Sequence, residues 1–401
     1  MLRQLYNSFI DKKTEILLSV GEKFNQVSSF KIIRPEDEGE IVLNIKPSTE
    51  ETLSLLKIYD YLTDGFMKVK FPAINLMCYK NATIFENSDV VLTENKNVVW
   101  SKYYWYNFSN LIYSDSCVKG LSNGKLYVKK PKKIHKENNV FSLIGVHSHI
   151  WSHSLSDYYP RLAYLGEVLE HCKGNLTVII PEYKDQQLRE IVFDIINKYP
   201  QVKVLTLKQK EAVQCANLYY IERLVTFTDR EISVSIGDSA HPKLVADILK
   251  KQLINPLLAR IKEGEEPLKL FLPRRGMMRN LKNYKEVEDY FRSEGFYFLE
   301  EPHKLSLDEK VSIFNRASII VGPFGSAFSN IMFSKPGTKV LIFNNYHKAY
   351  EYWFSMHVDY FGIDILQVTG YDDRRHGNPA HCPYYIPAEK IIEAYKKYSN
   401  Q

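Results

Sequence analysis

From residue 140 onward, short apolar runs alternate with stretches of helical period. Val140–Val146 reads as a strand and Leu155–Cys172 as a helix. Leu176–Ile180 is a strand closed by Pro181, a helix follows from about Asp185 to Tyr199, and Val202–Leu207 is a third strand. This rhythm predicts a parallel sheet covered by helices. A long helix is expected over 241–263, broken at Gly264-Glu-Glu-Pro267. A second series follows, with strands Leu268–Leu272, Phe296–Leu299, Ser318–Val321 and Lys339–Phe343. Its helices are Tyr284–Ser293, Ser306–Ala317, one starting at Ser326, and Pro387–Tyr398.

Before residue 140 the pattern differs. Residues 2–26 place Leu2, Leu5, Tyr6, Phe9 and Ile10 at helical spacing, which predicts an amphipathic helix rather than a membrane anchor. Residues 31–130 carry short β-like runs with turn punctuation, among them Ile41–Ile45, Ala82–Phe85, Val90–Thr93 and Val98–Trp100. The expected organisation is an N-terminal domain over 1–240, β-rich at 31–130 and Rossmann-like at 140–240. A C-terminal Rossmann-like domain follows over 241–386, and helix 387–401 has room to pack back on the first domain.

Composition narrows the class. The 401 residues exceed one ordinary core, and 45% hydrophobic with 25% charged residues is globular. A net charge of +6 suits an anionic small molecule or a weak membrane preference and falls short of a nucleic-acid footprint. The basic run Lys125–Lys136 reads as a solvated hairpin edge. Five cysteines without a C-x-x-C indicate neither a disulfide framework nor a zinc ribbon, so a reducing compartment is expected. Charge interrupts the first residues too early for a signal peptide, and no apolar run reaches bilayer length. The expected location is the cytoplasm, with a peripheral position at the inner face of the membrane left open.

Three constellations carry candidate chemistry. His147-Ser-His149-Ile-Trp-Ser-His153-Ser-Leu-Ser-Asp157-Tyr-Tyr-Pro160-Arg161 follows a strand. A metal reading of its histidines with Asp157 lacks further ligands from later strands. A proton-transfer reading pairs His153 with Asp157 at i and i+4. Leu272-Pro-Arg274-Arg275-Gly-Met-Met-Arg279 puts three guanidinium forks behind a strand, a plausible diphosphate clamp. Gly322-Pro-Phe-Gly325-Ser326-Ala327-Phe-Ser-Asn330 joins a buried strand to a helix start whose N–H groups suit phosphate. Weaker candidates are Glu301 and His303 after a strand end, and Asn344, Asn345 and His347 after another. His376–Cys382 reads as a loop rather than a metal site.

The residues His153, Asp157, Pro160 and Arg161; Arg274, Arg275, Arg279 and Asn283; Leu305-Ser306-Leu307; and Val321-Gly-Pro-Phe324-Gly-Ser-Ala-Phe-Ser-Asn330 with Pro336-Gly337 stand in one order. In that order they resemble the motifs of the family 61 glycosyltransferases, over about His153 to Tyr346. Tyr159 stands where the family has leucine, Ser154 where it has tryptophan, and Phe324 where it has histidine. The resemblance implies a GT-B-like α/β fold of two facing Rossmann-like domains. It also implies a nucleotide-sugar donor on the C-terminal domain and an oligosaccharide or polysaccharide acceptor on the N-terminal one.

The combined reading is an inverting glycosyltransferase building a surface polysaccharide such as capsule or lipopolysaccharide, with no metal required and a donor expected to be UDP-linked. Asp157 or His153 is the base, with Asp157 slightly preferred. The donor diphosphate would meet Arg274, Arg275, Arg279, Gly325, Ser326, Ala327 and Asn330. His147, His149, Arg161, Glu301 and His303 are candidate acceptor or donor contacts. A polysaccharide pyruvyl transferase and a non-catalytic carbohydrate-binding protein are the alternatives.

Overall fold

The computed structural model describes residues 17–23, 26–60, 65–100, 115–222, 224–227, 239–261, 266–276, 279–345, 354–372 and 382–400. It is a mixed α/β structure with several sheets. The chain divides into two compact units, one of residues 1–48 and 72–224 and one of residues 49–71 and 225–401. The expected single boundary at 240/241 therefore differs in its details. The hairpin Thr49–Ser54/Phe66–Phe71 belongs to the second unit because Leu53, Val69 and Phe71 share a buried cluster with Ala240. The terminal helix Ala388–Ser399 also packs inside the second unit, placing Ile391, Ala394, Tyr395 and Tyr398 in that unit's core.

In the first unit, β1 (Lys133–Ser142), β2 (Leu176–Pro181), β3 (Val202–Leu207) and β4 (Glu211–Ile221) lie side by side and parallel in the order β3-β2-β1-β4. Chain order reverses between β1 and β4, and open α/β sheets bind ligands at such a point, beyond the strands' carboxyl ends. β4 continues into antiparallel strand Ile74–Phe85 and the β-rich portion. Their ladder skips Ala216 and Asn81, and Asn81 takes φ 45°. Val140, Ile144, Ile179 and Val213 of the parallel part share one core with Ile33, Ile84, Val91 and Val99 of the β-rich part. β4 escaped the sequence pattern because Gln214 and Asn217 interrupt its apolar row. β1 is longer than expected because its charged first half hides the strand.

The second unit orders its parallel strands β5 (Leu268–Phe271), β6 (Tyr297–Phe298), β7 (Ala317–Pro323), β8 (Lys339–Asn345) and β9 (Asp364–Asp372) as β6-β5-β7-β8-β9. The reversal here lies between β5 and β7. Helix Leu307–Arg316 starts where expected because Ser306 and Glu309 close a reciprocal capping box. No helix among the described residues is long and apolar enough to cross a membrane. Much of expected helix 2–26, together with His347 and His376–His381, lies outside the described residues.

Candidate active site

In the first unit the loop after β1 is built to a fixed shape. His147 takes φ 68°, and its N–H donates to Asn87 Oδ1 at 2.9 Å. Val146 N–H donates to Asp89 Oδ2 at 3.2 Å, and the Tyr158 hydroxyl donates to Val146 O at 2.8 Å. Gly145 has no room for a Cβ, since one would run into the Tyr158 ring and the Asp89 carboxylate.

The helix that follows is not one α-helix from Leu155. It begins at Trp151–His153, passes through a π-helical turn Ser154–Tyr158 and a 3-10 stretch Tyr159–Tyr164, and becomes α-helical only at Leu165–Cys172. Pro160 has no N–H to donate, which accounts for the break in α-helical bonding. Wide turns of this kind appear mostly where a site needs local re-aiming.

The turn brings His153 Nδ1 within 3.0 Å of Asp157 Oδ2, while Ser156 Oγ lies 2.7 Å from Asp157 Oδ1. Both carboxylate oxygens are thereby engaged. The ring of His147 lies 5.2 Å from that of His153. Burial first, then Lys184 and His153, hold His149 below its usual pKa, favouring the neutral imidazole. Among the described residues, no group of three or more His, Cys, Asp or Glu side chains is arranged to hold a metal ion.

Arg161 is placed differently from the expectation of a substrate contact. Its guanidinium is buried, reaching Ser142 O at 3.4 Å and Glu222 O at 3.5 Å, with the Tyr158 and Tyr220 rings 4.8 and 4.9 Å away. Ser142 ends β1 and Glu222 follows β4, so Arg161 ties the two strand ends together at the topological reversal.

In the second unit the two candidate loops meet at the other reversal. Leu272 N–H donates to Val321 O at 2.8 Å. Gly322 takes φ 156°, and a Cβ there would collide with Leu272 O. The Arg274 guanidinium lies directly over Gly325, in the space a Cβ would occupy. Gly325 is the N-cap of Ser326–Phe333, a 3-10 helix rather than the expected α-helix, so Ser326 is not the capping residue. Asn330 donates to Ala327 O at 2.9 Å and is buried, with no hydrogen-bond partner for its Oδ1 among the described residues. Ser326 is exposed.

The three arginines do not act as one clamp. Arg275 donates from Nε to Glu288 at 2.9 Å and from Nη1 to Glu300 Oε2 at 2.8 Å; the bonds to Glu288, foremost, and those to Glu300 push its pKa further up. A guanidinium so engaged has little left for phosphate. Arg279, at φ 63°, lies 5.1 Å from the Phe324 ring, and Phe354 packs edge-on against the same ring at 5.6 Å. Asn283 donates to Ile386 O, a structural bond. Glu301 and His303 are exposed beyond β6, with Glu301 paired to Lys304 at 2.8 Å. Asn344 and Asn345 are buried at the end of β8, and Asn344 lies 3.4 Å from Gln367 Oε1.

Sequence reasoning missed Asn87, Asp89, Ser156, Glu288 and Glu300. Only Ser156, beside Asp157, carried a local signal; Glu288 is brought in by helix Tyr284–Ser293, and the others by the packing of strands and loops.

A family model described as Glycosyltransferase 61 matches residues 151–341. Over these residues the chain is similar to the glycosyltransferase 61 family. The matched stretch begins at Trp151, two residues before His153, and ends inside β8, so it includes the His153–Asp157 turn, the Arg274 loop and the Gly325 loop. No curated protein matches the chain significantly. The match supports a transferase acting between a sugar donor and a glycan acceptor.

Proposed function

We propose that the protein transfers a sugar from a nucleoside-diphosphate donor to a surface-glycan acceptor with inversion. The observation that carries this reading is the Arg274 guanidinium held over Gly325, at the point where strand order reverses in the second unit. A permanently charged planar fork beside glycine backbone and an open helix start suits a diphosphate.

The base belongs to the first unit in this reading. His153 gives its Nδ1–H to Asp157, which makes Nε2 the basic ring nitrogen. The bond between the acceptor oxygen and the anomeric carbon forms as the bond from that carbon to the diphosphate breaks. The acceptor's proton goes to Nε2, and the diphosphate leaves with the electron pair. Asp157, with both oxygens already engaged, orients the ring and balances its charge, so the slight preference for Asp157 as the base passes to His153. Arg274 and the backbone N–H groups around Ser326 carry the departing charge. The reading takes the enzyme as GT-B-like. It places the protein at the cytoplasmic side, where capsule or lipopolysaccharide precursors are built.

The test is a thermal-shift series with nucleoside diphosphates and nucleotide sugars, UDP-linked ones first, with and without chelator. Saturating ligand stabilises by about 2.7 kcal/mol at a hundredfold excess over Kd. The expected result is a shift that survives chelation and disappears in Arg274→Ala. No shift with any nucleotide overturns the reading.

A further inference from the structure

The outer face of the strand pair Val27–Ile33/Lys125–Lys129 holds an arrangement that folding alone does not account for. The two strands are antiparallel, with Lys31 directly opposite Lys125. Like charges in that relation repel across a short gap. Both are exposed, and among the described residues neither forms an ion pair that would relieve the other. The run Lys125–Lys136 looked like a solvated edge because sequence spacing could not reveal the cross-strand lysine.

The helix over residues 17–23 is seated on the same face. A Cβ on Gly120, which lies opposite Tyr127 in the neighbouring strand Val118–Ser122, would stand 3.0 Å from Leu18 Cδ1. A Cβ on Gly21 would stand 3.3 Å from Val27 Cγ2, and Glu22 accepts from the Ser29 hydroxyl. Leu18 is thus buried at 2% exposure, whereas Leu17 and Val20 point outward at 58% and 44%. Lys23 is exposed at the end of the helix.

We propose that this face docks the protein on an anionic lipid surface. Leu17 and Val20 enter the boundary between headgroups and acyl chains, and Lys23, Lys31 and Lys125 meet lipid phosphates that screen their mutual repulsion. Exposed apolar side chains together with exposed lysines match an interfacial anchor. A soluble polyanion would satisfy the lysines and leave Leu17 and Val20 in water.

The experiment is co-sedimentation of the full chain with phosphatidylcholine vesicles, with and without phosphatidylglycerol. Binding is expected only to the anionic vesicles and is expected to fall with salt. Lys31→Gln with Lys125→Gln is expected to weaken it about 30-fold, from roughly one lipid-facing charge's contribution each. Leu17→Ser with Val20→Ser is expected to weaken it while salt dependence persists, and Lys285→Gln with Lys335→Gln, in the other unit, is expected to leave it unchanged. The proposal is overturned by absence of binding to anionic vesicles, by equal loss in the Lys285/Lys335 control, or by full binding in the Leu17/Val20 variant. Capture by dextran sulfate without vesicle binding would also overturn it, in favour of an acidic glycan.

Discussion

His153 Nδ1 and Asp157 Oδ2 stand 3.0 Å apart across a stretch of helix that widens into a π turn. Within the same turn Ser156 holds the second carboxylate oxygen. Removing the carboxylate's charge while keeping its shape should separate catalysis from binding. Asp157→Asn is expected to lower kcat by about 100-fold or more, the usual range for loss of a proton-transfer partner, with nucleotide binding intact. His153→Ala is expected to do the same or worse. Normal turnover in either variant, followed by release of nucleoside diphosphate, would sink the dyad. Ser156→Ala is expected to give a smaller loss in kcat with little change in KM.

Two neighbouring glycines should fail in different ways. At Gly325 a methyl group displaces the Arg274 side chain, a flexible neighbour that can swing aside. Gly325→Ala is therefore expected to fold normally and to weaken nucleoside diphosphate binding about tenfold or more, as for loss of a charge-assisted contact. At Gly322 the obstacle is backbone, Leu272 O, and φ is 156°. Gly322→Ala is expected to lose about 1–3 kcal/mol of stability. Calorimetry for ligand binding and urea denaturation for stability separate the two. Equal effects on both measurements would contradict the geometry.

Arg275 stands beside Arg274 in the chain yet should behave as a structural residue. Its guanidinium bridges Glu288, which is buried, and Glu300, which is exposed. Arg275→Ala leaves the Glu288 carboxylate without its partner. Solvent reaches the arginine, so the expected loss is about 1–3 kcal/mol rather than the larger figure for a sealed pair. Nucleotide affinity is expected to change little. Replacing Glu288 as well, in Arg275→Ala/Glu288→Gln, should recover part of the stability. A strong loss of nucleotide binding with unchanged denaturation midpoint would return Arg275 to the phosphate.

These contrasts mark what sequence could and could not carry. The helix Tyr284–Ser293 and strand β3 are where their patterns predict, because the helix buries one face and the strand is a short apolar run, half-buried at Val202, Val204 and Leu205 and buried at Leu207. The Gly322–Asn330 turn was also legible, since glycine at a close backbone approach leaves a local mark. The partners of Arg275 and His147 were not. Glu288 comes from the helix after the Arg275 loop and Glu300 from beyond β6, while Asn87 and Asp89 reach their places through strand order; no local pattern encodes these meetings. Arg161 misled for the same reason: an arginine in a motif looks like a ligand contact until two strand ends are found at its tip. The hairpin Thr49–Phe71 joins the second unit through long-range burial of Leu53 and Phe71, so chain order alone placed it in the first.

His357 offers a measurement in a part of the second unit that the proposed chemistry does not use. It lies in helix Ser355–Phe361 between the rings of Phe354 and Phe361, at 5.6 and 5.8 Å, and neither ring nitrogen has a hydrogen-bond partner among the described residues. Burial above all, with a smaller contribution from His241, pushes its pKa down to about 3. The folded state therefore holds this imidazole neutral, while the unfolded chain protonates it near the ordinary value of about 6.5. Above that pH both states hold it neutral, and protonation adds no cost. As pH falls below it, the unfolded state binds the extra proton, and stability drops by up to about 1.4 kcal/mol per pH unit, levelling off only near the folded value. His357→Phe should remove this share of the acid sensitivity, so the stability difference between variant and parent should grow in the variant's favour from neutral pH to about pH 4. Urea denaturation at a series of pH values measures it. Parallel stability curves for the two proteins across that range would show that His357 takes up its proton in the folded state as readily as in the unfolded one.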